Sequence, residues 1–488
     1  MFRHYGVQRS GGRAARGAMA VLGMLAMCGA IASSAAAEPV RVTRAWHPGF
    51  IAPETPESLD TVGVVKVMPW SRAAAAAATN VLVLEPGTSA GAPYFLPFAK
   101  WLVENVKGWQ VWSVERRENR LENQSRLNMA KKGAITPREL FEYYLGYLTN
   151  GGKLPHVQPV SEQHAIADGA RQWGMNVAVQ DLHVVIEEAK ALGGKVVLGG
   201  HSLGGSVVTA YATWDFGGKA GADGLAGLVY DDGGSSPTPV TAEQAGASLE
   251  TLSKKTPWLA FGGIPAPTLG LFGSIGASLA LMAPGEAAVL GNWIGLPPSL
   301  QTHNAKGEVV PATNEAGFGY GVNVGTSPPN LFAAQVHAGA GLAEPETAGQ
   351  PWTWNGAGAI TPIRRYAEML AGSTLMGADG NEWYFPERLT IDTGAVAEGN
   401  DNPAQAVLGE HAIHGHELPT SLRILAIGTE LGKEAVLKAA EILAEQSGIP
   451  HGNLTLINEE NTYAHNDPAG AYPNNEFFSQ LVPFLSGL

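Results

Sequence analysis

Lys195-Val-Val-Leu-Gly-Gly-His-Ser-Leu-Gly-Gly-Ser206 is the stretch from which the fold is read. Val196 to Leu198 is a short β-branched and apolar run, the pattern of a buried strand. It breaks into Gly200-His201-Ser202-Leu203-Gly204, a match to G-x-S-x-G. A sharp strand-to-helix turn of this kind lifts a serine hydroxyl clear of a sheet. Small residues around it leave room for crowded backbone, and the amides of the following helix point at the serine. Gly204, Gly205 and Ser206 open that helix, so the motif has the context that a chance match lacks.

The flanks extend the pattern. Val177, Val179, Leu182, Val185, Ile186 and Ala189 give a helical apolar face ahead of the strand, closed by Gly193-Gly194. Upstream, Val40–Trp46, Val62–Met68, Val81–Leu84 and Gln110–Val114 read as strands, and Tyr94–Val106 as a helix. Ala73–Thr79 reads as a connector and Pro137–Tyr147 as a helix rich in aromatic residues. Downstream, Leu225–Tyr230, Leu422–Ile427 and Leu454–Ile457 are strands, with helices after the second and at the C-terminus. Strands alternating with helices across short connections specify an α/β protein whose mostly parallel sheet is covered on both faces.

At 488 residues the chain supports a large core with insertions; 45% hydrophobic and 15% charged content mark it as folded. Residues 1–37 read as a signal peptide. Arg3, Arg9, Arg13 and Arg16 form a basic start, Ala18–Ile31 an apolar segment short for a membrane span, and Ala35-Ala36-Ala37 a cleavage site. The expected location is periplasmic or extracellular. Cys28, the single cysteine, lies in this leader, and bulky Met27 before it argues against lipid attachment. Loss of the four arginines takes the formal net charge from −13 to −17. Such acidity disfavours nucleic acid and anionic membranes as partners.

Residues 237–418 break the alternation. They are rich in Gly, Pro, Ala and Trp and far exceed a normal connection, so they are expected to form an inserted cap between core segments 38–236 and 419–488. Lys255 to Glu286 encloses a charge-free stretch, but its prolines argue against a spanning helix. Trp258, Phe261, Phe272 and Trp293 are candidates to line a pocket, and each is equally a candidate for the core of the cap. His411, His414 and His416 match no firm ligand spacing, and Asp392, Glu398 and Asp401 make only a weak calcium pattern, so no metal or cofactor is expected.

Two further features bear on chemistry. Gly87-Thr88-Ser89-Ala90-Gly91, after a central strand, is suited to aim backbone N–H groups at a developing oxyanion. Thr88 would supply one and Leu203, after the serine, the other. Glu115-Arg116-Arg117-Glu118-Asn119 reads as a solvated or structural ion-pair cluster.

Serine elbow, Gly-rich turn, acid after a strand and histidine after the last strand, in that order, resemble the α/β-hydrolase superfamily. The resemblance spans the chain after the leader except the cap. It implies Ser202 as nucleophile and His465 as general base, with His451 before the last strand as the weaker alternative. Two acids qualify by position: Asp232 (or Asp231) after one strand, and Glu430 after the next. A serine at the elbow excludes relatives that use aspartate there. The expected activity is an exported serine hydrolase cleaving hydrophobic or aromatic carboxylic esters, with a small-molecule ester as partner. An acyltransferase or an amidase or peptidase would use the same residues, and a non-catalytic binding module is the reading from another class.

Overall fold

Eight strands make one sheet, its inner strands built on apolar runs and its N-terminal edge strand on an alternating one. The computed structural model describes residues 39–146, 166–234, 239–261, 264–292, 301–327, 333–372, 377–396 and 402–488. The expected leader with Cys28, and Trp293, Glu398 and Asp401, lie outside them. The strands are β1 (Val40–Pro48), β2 (Thr61–Pro69), β3 (Asn80–Glu85), β4 (Trp109–Glu115), β5 (Val196–His201), β6 (Gly227–Asp231), β7 (Arg423–Gly428) and β8 (Leu454–Asn458). Their order is β1-β2-β4-β3-β5-β6-β7-β8, antiparallel for β1, β2 and β4 and parallel from β4 onward.

β4 and β5 are buried along their whole length, which is why they read as continuous rather than alternating apolar runs. The connecting helices cover both faces. α1 (Leu96–Asn105) and the C-terminal α8 (Glu476–Ser486) pack on one apolar layer with Val111, Val197 and Ile427. α2 (Met175–Lys190), α3 (Leu203–Thr213) and α7 (Lys433–Gln446) pack on the opposite layer with Val83, Leu198 and Ala426. Boundaries match the sequence expectation to within a few residues, except that the expected connector is a short helix, Arg72–Ala77, capped by Ser71.

The 237–418 insertion contributes α4 (Ala266–Met282), α5 (Asn314–Val322) and α6 (Ile363–Ala371), with short helices and two-stranded pieces between them. α4 explains the charge-free stretch. Leu271, Ile275 and Leu279 face a cluster with Leu140 and Trp383, while Ala277 and Ala280 join the cluster beneath α6. A helix apolar all round belongs between two packed layers. None of the described helices is long and apolar enough to cross a membrane. Gly270 and Gly273 let α4 approach closely: a Cβ would lie 2.9 Å from Trp383 Cα or 2.7 Å from Asn381 Oδ1. The insertion is not set apart from the rest, for its Phe385, Leu389 and Leu418 belong to the same apolar layer as α2 and α3.

Candidate active site

Ser202 sits between the end of β5 and the start of α3 with φ 55° and ψ −126°, a backbone region that L-residues rarely occupy. The turn is bought with glycines. A Cβ on Gly200 would lie 2.3 Å from Gly204 O, and one on Gly204 would lie 2.2 Å from Glu85 O. Ser202 N–H donates to Asp231 O at 3.0 Å, tying the elbow to the neighbouring strand end.

The two candidate acids separate in space. His465 Nδ1 lies 2.6 Å from Asp232 Oδ2, and both side chains are buried. Asp232 also accepts from Thr429 N–H at 2.8 Å, Gly432 N–H at 3.1 Å and the Thr429 hydroxyl. Burial by itself would raise this carboxyl; the His465 contact and the Thr429 donors outweigh it and hold Asp232 below its ordinary value. Asp231 is different: burial, then the charge of Asp232, push its carboxyl well above its ordinary value. Glu430 is exposed, and only its backbone N–H reaches the histidine loop, at Tyr463 O. His451, on a short helix before β8, is exposed as well.

The histidine loop is fixed by residues that sequence reasoning missed. His201 Nε2 lies 3.1 Å from His465 O, and its ring packs between Tyr94 (4.9 Å between centroids) and His465 (4.4 Å). Burial, then the nearby His465, push the His201 imidazole down to about 3, so it stays neutral and donates from Nε2. Tyr94 Oη donates to Asn466 Oδ1 at 2.9 Å, and Asn466 Nδ2 reaches Ala333 O and Gln335 O, each at 3.0 Å. Asp467 accepts from Ala464 N–H at 2.8 Å and the Thr361 hydroxyl at 2.7 Å. The cap segment around 333–337 is thus strapped to the loop that carries His465. Adjacency of Asn466 and Asp467 to His465 was the available signal, but nothing local shows which way they point.

His337 Nδ1 completes the strap 2.6 Å from Asp467 Oδ2. The Asp467 hydrogen bond, outweighing burial, raises this half-exposed imidazole above its ordinary value of 6.5. A raised folded-state pKa means the contact contributes fully below pH 6.5 and fades as pH rises through the raised value. His337→Gln is therefore expected to lower the melting temperature more at pH 5.5 than at pH 9. Equal losses at both, measured by thermal unfolding, would contradict the pairing.

Ser202 and His465 line one cavity of about 340 Å³, together with Gly87, Thr88, Tyr94 and His201 of the core. Its far walls come from the insertion: α4, α5 and α6 supply Phe272, Leu279, Phe318, Tyr320, Tyr366 and Leu370. No Asp, Glu, Lys or Arg is among the described lining residues. Small residues make the space, since Gly270, Gly273 and Gly276 follow one another along the α4 wall.

The structure decides two readings that the sequence leaves open. Trp258 does not line the cavity; it is 3% exposed and packs against Trp173 and Tyr384 in an apolar cluster. Of its two ion-pair readings the Glu115–Asn119 segment takes the structural one, for its five residues are all buried and Glu115, Arg116 and Arg117 are ion-paired. Phe272 does line the cavity. The Phe261 side chain lies outside the described residues. His414 has both ring nitrogens engaged, by Glu417 and Asp215, and Asp392 pairs with Arg388 and Met175 N–H.

An eight-stranded sheet in the order 1-2-4-3-5-6-7-8, with a serine at the turn after β5 and a histidine after β8, decides the fold. The chain is an α/β-hydrolase by fold. No family model and no curated protein matches its sequence. Among solved structures it is similar to a thermostable carboxyl esterase from Bacillus coagulans, at 10% identity and TM-score 0.36, over 91% of this chain and 98% of that one. It is also similar to a soluble variant of the Saccharomyces cerevisiae monoglyceride lipase, at 12% identity and TM-score 0.30, over 88% and 90%. A third is the Aspergillus fumigatus siderophore hydrolase EstB, at 14% identity and TM-score 0.28, over 90% and 97%.

Proposed function

We propose that this α/β-hydrolase is an exported serine esterase that cleaves neutral carboxylic esters with hydrophobic or aromatic groups. The observation that carries the reading is the meeting of Ser202, His465 with its Asp232 partner, and the Gly87-Thr88 turn at one uncharged cavity. Export rests on the leader alone.

In this mechanism Ser202 Oγ attacks the ester carbonyl while His465 takes its proton through Nε2. Asp232, accepting from Nδ1–H, fixes the tautomer that leaves Nε2 free to do so and stabilises the imidazolium that forms. The N–H groups of Thr88 and Leu203 hold the oxyanion. Collapse of the tetrahedral intermediate expels the alcohol, which takes the proton from His465. Water, deprotonated by His465, then attacks the acyl-serine and frees the acid.

The uncharged walls set the substrate class. A carboxylate carried into this cavity loses hydration and meets no lysine or arginine among the described lining residues. In a p-nitrophenyl ester panel, butyrate and benzoate are expected to exceed the succinate hemi-ester in kcat/KM by about a hundredfold or more. Equal rates would overturn the assignment of substrate class. Faster turnover of matched anilides than esters would favour the amidase reading, and ester formation with an added alcohol outpacing hydrolysis would favour acyl transfer.

A further inference from the structure

We infer that Arg116 is a positioning residue that builds the oxyanion hole by holding the Gly87-Thr88 peptide in one orientation. The inference rests on the serine-esterase reading and adds to it a residue that never touches substrate. Arg116 follows β4 and is 6% exposed. Its guanidinium lies behind the turn that leads from β3 towards α1 and divides its donors between carbonyls of that turn and buried carboxylates. Nη1 reaches Pro86 O at 2.9 Å, while Nη2 reaches Gly87 O at 2.8 Å and Ala90 O at 3.0 Å. Glu85 at 2.8 Å and Glu382 at 2.6 Å hold the guanidinium from either side, with Glu118 at 3.5 Å.

Peptide planarity converts this into a statement about the cavity. In a trans peptide the C=O of Gly87 and the N–H of Thr88 point in opposite directions. Gly87 O is turned inward, where it accepts from Arg116 and also from Ala90 N–H at 3.3 Å. Thr88 N–H must therefore point the other way. Gly87, Thr88 and Ser202 all line the cavity, and among the described residues Thr88 N–H has no protein acceptor. The turn is also strained, for Ser89 has φ 54°. Without its clamp, the 87–88 peptide is free to flip and turn a carbonyl, with the wrong charge, toward the developing oxyanion. Lysine offers a point charge in place of the planar fork and cannot serve three carbonyls and the two hydrogen-bonded carboxylates, Glu85 and Glu382, together.

Arg117 supplies the control. It is 1% exposed and equally enmeshed, with Asp181 at 2.7 Å, Asp60 at 2.9 Å and Phe50 O at 2.8 Å, but touches nothing in the 86–90 turn. Arg116→Lys is expected to lower kcat on p-nitrophenyl butyrate about a hundredfold, the scale of losing one oxyanion donor, with KM changed less than about threefold. It should also weaken a trifluoromethyl ketone, which binds as an oxyanion, by a similar factor. Arg117→Lys is expected to lower the melting temperature while leaving kcat per folded molecule unchanged. Should Arg116→Lys not fold, the charge-balanced pair Arg116→Met with Glu382→Met removes the clamp without stranding Glu382, and the same loss in kcat is expected. A folded Arg116 variant with wild-type kcat would overturn the inference, and so would an equal kcat loss in Arg117→Lys. Ser202→Ala, run alongside, separates the two claims: activity surviving in it defeats the esterase reading, whereas an inactive Ser202→Ala beside a fully active Arg116→Lys defeats only the clamp.

Discussion

Ser202→Ala is expected to lower kcat on p-nitrophenyl butyrate about a millionfold, and His465→Ala by nearly as much. The two act as one unit: the hydroxyl is a poor nucleophile unless a base takes its proton as the bond forms. Losing either leaves only the oxyanion donors and substrate binding, worth a residual of about a thousandfold over water. The double variant should therefore be no worse than either single one, a non-additivity that independent contributions would not give. The fold should tolerate Ser202→Ala, since Ser202 lines the cavity and alanine keeps the Cβ that Gly87 approaches, whereas His465→Ala leaves the buried Asp232 without its partner and is expected to lower the melting temperature as well. Circular dichroism and initial rates on all three variants check this. Strictly multiplicative losses would contradict a shared proton transfer.

Asp232→Asn is expected to cost about ten-thousandfold in kcat, while Glu430→Gln stays within about twofold of wild type. The physical cause is the tautomer. Asp232 accepts Nδ1–H of His465 at 2.6 Å, leaving Nε2 unprotonated and able to receive the serine proton. An asparagine amide turned to donate at the same place would put the proton on the wrong nitrogen. Thr429 and Gly432 donate to Asp232 as well, so the substitution also sets N–H groups against an amide that has fewer lone pairs to offer. Glu430, exposed and without a side-chain route to His465, has no such role. A kcat loss confined to Glu430→Gln would contradict the arrangement.

The fold was largely legible because its core strands are buried on both faces and its helices carry one apolar stripe. Val196–Leu198 and the face from Val177 to Ala189 declare themselves by local pattern alone. The elbow was legible for a steric reason, since glycine is required wherever backbone meets backbone, as at Gly200 and Gly204. The acid was not. β6 and β7 are adjacent parallel strands, so both of their ends lie close to the histidine loop. What separates them is the backbone of Asp232, at φ 44°, which a sequence does not display. Arg116 and Trp258 were undecided for opposite reasons. Alternating charges look like a surface, yet Arg116 is buried against carbonyls that no local pattern reveals. A tryptophan in a Gly- and Pro-rich insertion looks available for a ligand, yet Trp258 is filled in by Trp173 and Tyr384 from distant segments.

A covalent bond to Ser202 Oγ is the most direct mark of this mechanism. Treating the protein with a fluorophosphonate and weighing its proteolytic peptides tests that bond without any choice of substrate. The expected result is one phosphonyl adduct on the peptide that contains Ser202, formed by wild type, slowed in Asp232→Asn and absent from Ser202→Ala. An adduct that forms equally on Ser202→Ala, or that maps to another residue, would contradict it.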